Sequence, residues 1–108
     1  MTEELAQQFG RTWVSNDGTK RRVYFPETLL ARLIGLRIST YKTGNISGAT
    51  LDGEKISNGR ADKIRTLLRF GKAYFDCHTQ TLVTENLGSY ADDIVAGLEA
   101  LAHPEATA

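Results

Sequence analysis

Cys77 and His78 stand side by side after Asp76, and a thiol next to an imidazole has the residue types of a nucleophile and its general base. The adjacency itself argues against that use. Successive residues of an extended chain point to opposite faces, so the two groups are not brought together. The alternating segments on either side place Cys77-His78-Thr79-Gln80 at a hairpin tip, where a thiol is exposed and lacks the enclosed, polarising surroundings of a reactive thiolate. The pair is read as an exposed loop and Cys77 as dispensable. Metal ligation fares no better, because one cysteine, His78, the distant His103 and scattered acids do not make a closed zinc site. Asp52-Gly53-Glu54-Lys55 has the residue types of a nuclease centre. Asp-Gly between alternating segments is instead a tight-turn signal, which puts two of the four at a corner. Gly44, Gly48, Gly53 and Gly59 occur singly, without the spacing of a dinucleotide or phosphate-loop fingerprint. Gly59 follows Ser57-Asn58 and could leave amides for an anion, but helix capping explains the same residues. No enzyme, cofactor or metal is expected.

Charge is the stronger signal. All 13 Lys and Arg residues lie between Arg11 and Lys72, among only five acids, which gives that stretch a formal charge of +8. Residues 1–10 carry −2 and residues 73–108 carry −6, so the net charge of zero is a cancellation between segments. A basic body attracts phosphate polymers, and an acidic terminal segment can neutralise it, compete with it or recruit a basic partner. Hydrophobic content of 41% and charged content of 24% are those of a soluble globular protein. No apolar run is long enough to span a membrane, and the N-terminus lacks a secretory pattern. The lone cysteine excludes an internal disulfide, and a cytoplasmic location is expected.

The elements that must position this charge are marked by turn residues. Thr12–Ser15 and Lys20–Phe25 flank Asn16-Asp17-Gly18-Thr19 as a hairpin. A three-residue loop with Gly18 left-handed pairs Trp13 with Arg21 and collects Trp13, Val23 and Phe25 on one face; a two-residue loop puts Trp13 beside Arg22 and Tyr24 instead. The first register is preferred because it gathers the apolar side chains. Pro26 and Gly35 bound a helix with Leu29, Leu30, Leu33 and Ile34 on one stripe. The run from Arg22 through Pro26-Glu27 to Leu33 resembles the strand-to-helix step of ribbon-helix-helix repressors, a family whose second helix would fall where Leu36–Tyr41 reads as a strand. The resemblance is therefore not extended. A strand from Ile46 to Leu51, the Asp52-Gly53 turn and a short return strand follow. Ser57 or Asn58 caps a helix that buries Ala61, Ile64, Leu67 and Leu68 and stops at Gly71. Lys72–Asp76 and Thr81–Glu85 make a third hairpin, and Ser89-x-x-Asp92 is a capping-box-like opening for a last helix burying Tyr90, Ile94, Val95, Leu98 and Leu101.

The order ββ-α-βββ-α-ββ-α predicts an α+β fold, an antiparallel sheet of hairpins packed by about three helices. Residues 1–10 form an N-terminal segment with room for a short helix, residues 11–102 a single domain and residues 103–108 a disordered tail. If Val23, Phe25, Ile38 and Phe75 face the core, then Arg22, Tyr24, Arg37, Ser39, Tyr41, Lys72 and Tyr74 share an open face. Lys63, Arg65 and Arg69 add a ridge on the middle helix, and Arg21 adds a further charge. Tyrosines among arginines can stack bases and grip phosphates, so the expected function is non-catalytic nucleic-acid binding, to DNA or RNA, by a monomer or weak homodimer. The competing expectation is a protein-interaction module, or an inhibitor of phage or plasmid type acting through the acidic last helix or exposed aromatics.

Overall fold

Local chemistry accounts for most of the element boundaries. In a computed structural model, residues 1–103 are described. Thr2 caps a short helix, α1 (Glu3–Gln7), by accepting the Leu5 amide at 3.2 Å, and Ala6 of that helix is fully buried. Strands β1 (Arg11–Val14) and β2 (Arg21–Tyr24) form the first hairpin. Pro26 precedes α2 (Glu27–Leu33), which stops before Gly35 at φ +77°. That left-handed backbone favours glycine, and a Cβ there would also strike the Asp52 carboxylate. Next come β3 (Leu36–Thr40), β4 (Ile46–Leu51) and β5 (Glu54–Ile56). Asp52 and Gly53, at φ 52° and 83°, make the tight two-residue turn between β4 and β5. Ser57 accepts the Arg60 amide at 3.1 Å and opens α3 (Asn58–Phe70). The last hairpin is β6 (Lys72–Asp76) and β7 (Thr81–Glu85), followed by a 3-10 turn over Gly88–Tyr90 and by α4 (Ala91–Ala102). The α+β class and the order of hairpins and helices are as expected, with α1 as a fourth helix. Of the tail, residues 104–108 lie outside the described residues.

The strands divide between two antiparallel sheets, one ordered β1-β2-β6-β7 and the other β3-β4-β5. Both hairpins of the first sheet are sequence-local, but β2 meets β6 across the whole middle of the chain, with Val23 opposite Phe75 and Tyr24 opposite Tyr74. The core lies on one side of each sheet. Val23, Ala73 and Phe75 from the first sheet join Leu36 from the second, Leu29, Leu30 and Ile34 of α2, Ile64 and Leu68 of α3, and Ile94 and Leu98 of α4. Ala6 joins the same cluster, so α1, α2 and α4 all lie on the Val23–Phe75 side of the first sheet. The last helix therefore does not cover the opposite face.

Three local expectations are corrected. Ser89 does not cap α4: Tyr90 occupies the cap position without a side-chain bond, and the Tyr90 amide bonds Leu87 O at 3.1 Å as the 3-10 turn runs into the helix. Only Ile94 and Leu98 of that helix are fully buried, while Tyr90, Val95 and Leu101 are half-buried, as Leu67 of α3 is. The β6–β7 hairpin is where it was expected, yet Cys77 is not exposed. It is half-buried beside Glu3 of α1, and burial, reinforced by Glu3, pushes its thiol up to about 11. His78 beside it is exposed.

Candidate nucleic-acid interface

The site begins with a turn. The Ser15 amide bonds Lys20 O at 2.9 Å, closing a four-residue loop, Asn16 to Thr19. Asp17 Oδ1 accepts from Ser15 Oγ at 2.6 Å, from the Thr19 amide at 3.0 Å and from Thr19 Oγ1 at 2.8 Å. These donors hold the Asp17 carboxyl down to about 2, the Ser15 hydroxyl contributing most. An even loop sets the register, so Trp13 pairs with Arg22 and Arg11 with Tyr24. The expected pairing of Trp13 with Arg21 is thus wrong by one residue. That slip moves Trp13 from the core face to the outer one. Gathering apolar residues was the wrong criterion, because Trp13 packs on tyrosine instead.

The outer face of the four-stranded sheet consequently holds Arg11 and Trp13 from β1, Arg22 and Tyr24 from β2, and Lys72, Tyr74 and Asp76 from β6. Trp13 meets Tyr24 edge-on, with ring centres 6.1 Å apart and planes at 76°. Tyr24 in turn meets Tyr74 at 5.1 Å. The Arg22 guanidinium lies over Tyr74 at 4.5 Å and over Trp13 at 5.7 Å, and donates from Nη1 to Tyr24 Oη at 3.0 Å. Lys72 Nζ stands 6.0 Å over the Tyr24 ring. Tyr74 is only 4% exposed, although it is absent from the main core: its own face covers it, with Arg22 as the lid. Burial raises its phenol pKa, and the bond to Tyr24 raises that of Arg22. These cation–π contacts draw the Arg22 and Lys72 cations onto the rings, so the cluster holds itself together without a ligand. Trp13 remains 42% exposed and offers the open stacking surface of the cluster.

The acids on this face are partly committed. Asp76 accepts the His78 amide at 2.9 Å and the Thr79 amide at 3.3 Å, which lowers its pKa, and Glu85 stands opposite Lys72 across the strand pair.

Of the residues singled out from sequence, Arg22, Tyr24, Lys72 and Tyr74 are brought together. Arg21 points to the other side of β2 and pairs with Glu3 at 2.6 Å. Arg37 and Ser39 lie in the second sheet and Tyr41 in its β3–β4 turn, so the single open face expected for all of them does not exist. The parity of side chains was read correctly along β2, β3 and β6 but not along β1, and membership of a common sheet was misread. Arg65 pairs with Asp62 at 2.7 Å and Arg69 with Glu27 at 3.7 Å, while Lys63 is exposed on the same helix. Those helix cations are thus engaged by neighbours, and exposed pairs of this kind are weak. Trp13 and Arg11 were missed as site residues. The signal that could have found them is the Ser15-Asn16-Asp17-Gly18-Thr19 run, whose hydroxyls and carboxylate suit a four-residue loop.

Among the described residues, no three His, Cys, Asp or Glu side chains cluster as metal ligands, and no helix is long and apolar enough to cross a membrane. Compared with protein-family models, with curated proteins and with solved structures, the chain matches none.

Proposed function

We propose that the outer face of the β1-β2-β6-β7 sheet binds single-stranded nucleic acid without catalysis. The observation that supports this is the half-exposed Trp13 set among Arg22, Tyr24 and Tyr74 on a face that no helix among the described residues covers. Unpaired bases stack on Trp13 and on Tyr24, while Arg11 and Lys72 take the adjacent phosphates. Stacking on an aromatic side chain is worth about 1–3 kcal/mol per base, and every base offers a ring face, so the mode is tolerant of sequence. Preorganisation by the cation–π contacts lowers the ordering cost.

The test is a titration of dye-labelled oligo-dT and oligo-U at low salt, followed by anisotropy of the dye for every variant and by Trp13 emission in the wild type. Quenching on binding and roughly tenfold or greater weakening in Trp13→Ala/Tyr24→Ala are expected, from the loss of stacking. No binding to either oligomer at low salt would sink the proposal.

A protein partner is the second reading. It is favoured by Asp92, Asp93 and Glu99, which are exposed on α4 and form no ion pair among the described residues. Neutralising the three acids together separates the two: it abolishes capture of a basic protein surface but leaves oligomer binding intact or tighter.

A further inference from the structure

The second sheet offers a face of different character. Arg37 pairs with Thr50 and Thr50 with Lys55, so these three form one row across β3, β4 and β5. Ser39 and Gly48 form the next row on the same face. The helices α2 and α3 occupy the other face, where Leu36, Ile38, Leu51 and Ile56 pack towards Ile64 and Leu68. Glu54 pairs with Leu51 and so belongs to the helix side, and Asp52 sits in the turn. No carboxylate of the three strands shares the face of Arg37 and Lys55. Both cations are exposed, and neither makes an ion pair among the described residues. A Cβ at Gly48 would meet nothing within 4 Å among the described residues, so the space above that glycine is open.

We infer that the open face of the β3-β4-β5 sheet docks in the major groove of B-form duplex DNA. Charge complementarity selects a polyanion, since the two cations flank Thr50 of the central strand, with Gly48 beside it and Ser39 next to Arg37, and no acid of the three strands among them. Spacing selects the groove. Neighbouring strands lie about 4.8 Å apart, so Arg37 and Lys55 stand about 10 Å apart on the two outer strands. The B-DNA major groove is about 12 Å wide, which matches the separation of the two outer strands of this face. Arg37 and Lys55 then reach the phosphates of opposite walls, and the central Thr50 and Gly48 face the base edges, which a Thr hydroxyl can bond. The major groove of A-form RNA is too deep and narrow to admit the same face. This surface is separate from the aromatic face of the first sheet, and either assignment can fail alone.

The experiment measures fluorescence anisotropy of a labelled duplex DNA and of a duplex RNA of matching sequence, at low and physiological salt. The proteins are wild type, Arg37→Gln/Lys55→Gln, Gly48→Glu and Trp13→Ala/Tyr24→Ala, each shown to be folded by circular dichroism. Arg37→Gln/Lys55→Gln is expected to bind duplex DNA about tenfold or more weakly. Its salt slope should be shallower by about 1.8, or about 0.9 for each lost phosphate contact. Gly48→Glu projects a carboxylate into open space at an exposed strand position, so it should fold and lose duplex binding. Trp13→Ala/Tyr24→Ala should keep duplex binding while losing single-strand binding. Unchanged duplex affinity in Arg37→Gln/Lys55→Gln, or duplex RNA bound as tightly as DNA, overturns the inference.

Discussion

Replacing Gly71 with alanine tests whether packing at the α3–β6 junction limits stability. Gly71 has φ −78° and ψ 171°, a backbone open to any residue, so the substitution carries no left-handed strain. Restricting the unfolded chain would then stabilise by about 0.4–1 kcal/mol. Sterics oppose this. The new Cβ would lie 2.7 Å from Asn86 O and 3.0 Å from Leu67 O, and would collide with Leu87 Cδ2. Leu87 is 1% exposed, and Leu67 O already accepts the Gly71 amide at 2.8 Å, so neither the core nor the helix end can yield freely. Overpacking of this kind costs about 1–3 kcal/mol, and rigid backbone oxygens favour the upper end. The net expectation is a loss of about 2 kcal/mol, a fall in Tm of about 8 °C for a domain of this size. Urea unfolding with an unchanged m-value is the assay. Gly59→Ala is the control: it lies in α3, where a Cβ meets nothing, and should gain about 0.4–1 kcal/mol. A Gly71→Ala protein as stable as wild type would refute the packing argument.

Other expectations follow from single groups. Asp17 should titrate by NMR with a midpoint of about 2. Its folded pKa is depressed, so its contribution to hairpin stability is present above the ordinary carboxylate value and is lost as pH falls through about 2. Cys77 should react slowly with a thiol reagent at pH 8, because its thiol titrates at about 11 rather than 9.0. Its raised pKa stabilises the fold fully below about pH 9 and ceases to do so as pH rises through about 11. Leu98→Ala, at a side chain 1% exposed beside Ile94, should cost about 2–5 kcal/mol by denaturant unfolding while leaving the register of Trp13 and Arg22 intact.

Packing within the aromatic face limits how much of its ring surface meets water. Trp13, Tyr24 and Tyr74 bury much of their surface on one another and under Arg22, so the face is apolar in mass but cationic at its outer layer. A bare apolar patch of this size would invite association, and the guanidinium roof makes the face less apolar.

Local chemistry was enough to read much of this molecule from its residues. The Asp52-Gly53 turn, the Ser57 cap, the stops at Gly35 and Gly71, and the hairpin with Asp76 bonding its loop amides all depend on residues within a few positions of one another. The helical stripes of Ala61, Ile64 and Leu68 and of Ile94 and Leu98 likewise follow from periodicity. What tertiary structure decided is which strands share a sheet. Alternation shows that Arg22 and Arg37 point away from their own cores, but nothing near either residue specifies that β2 joins β6 while β3 keeps only β4 and β5. That choice rests on contacts far apart in sequence, such as Val23 with Phe75. The first hairpin shows the same limit at short range. An odd and an even loop are both available to Asn16–Thr19, and the bonds Asp17 makes to Ser15 and Thr19 select the even one. Because side chains alternate with period two, that one choice carries Trp13 from the expected core to the outer face and creates the candidate site.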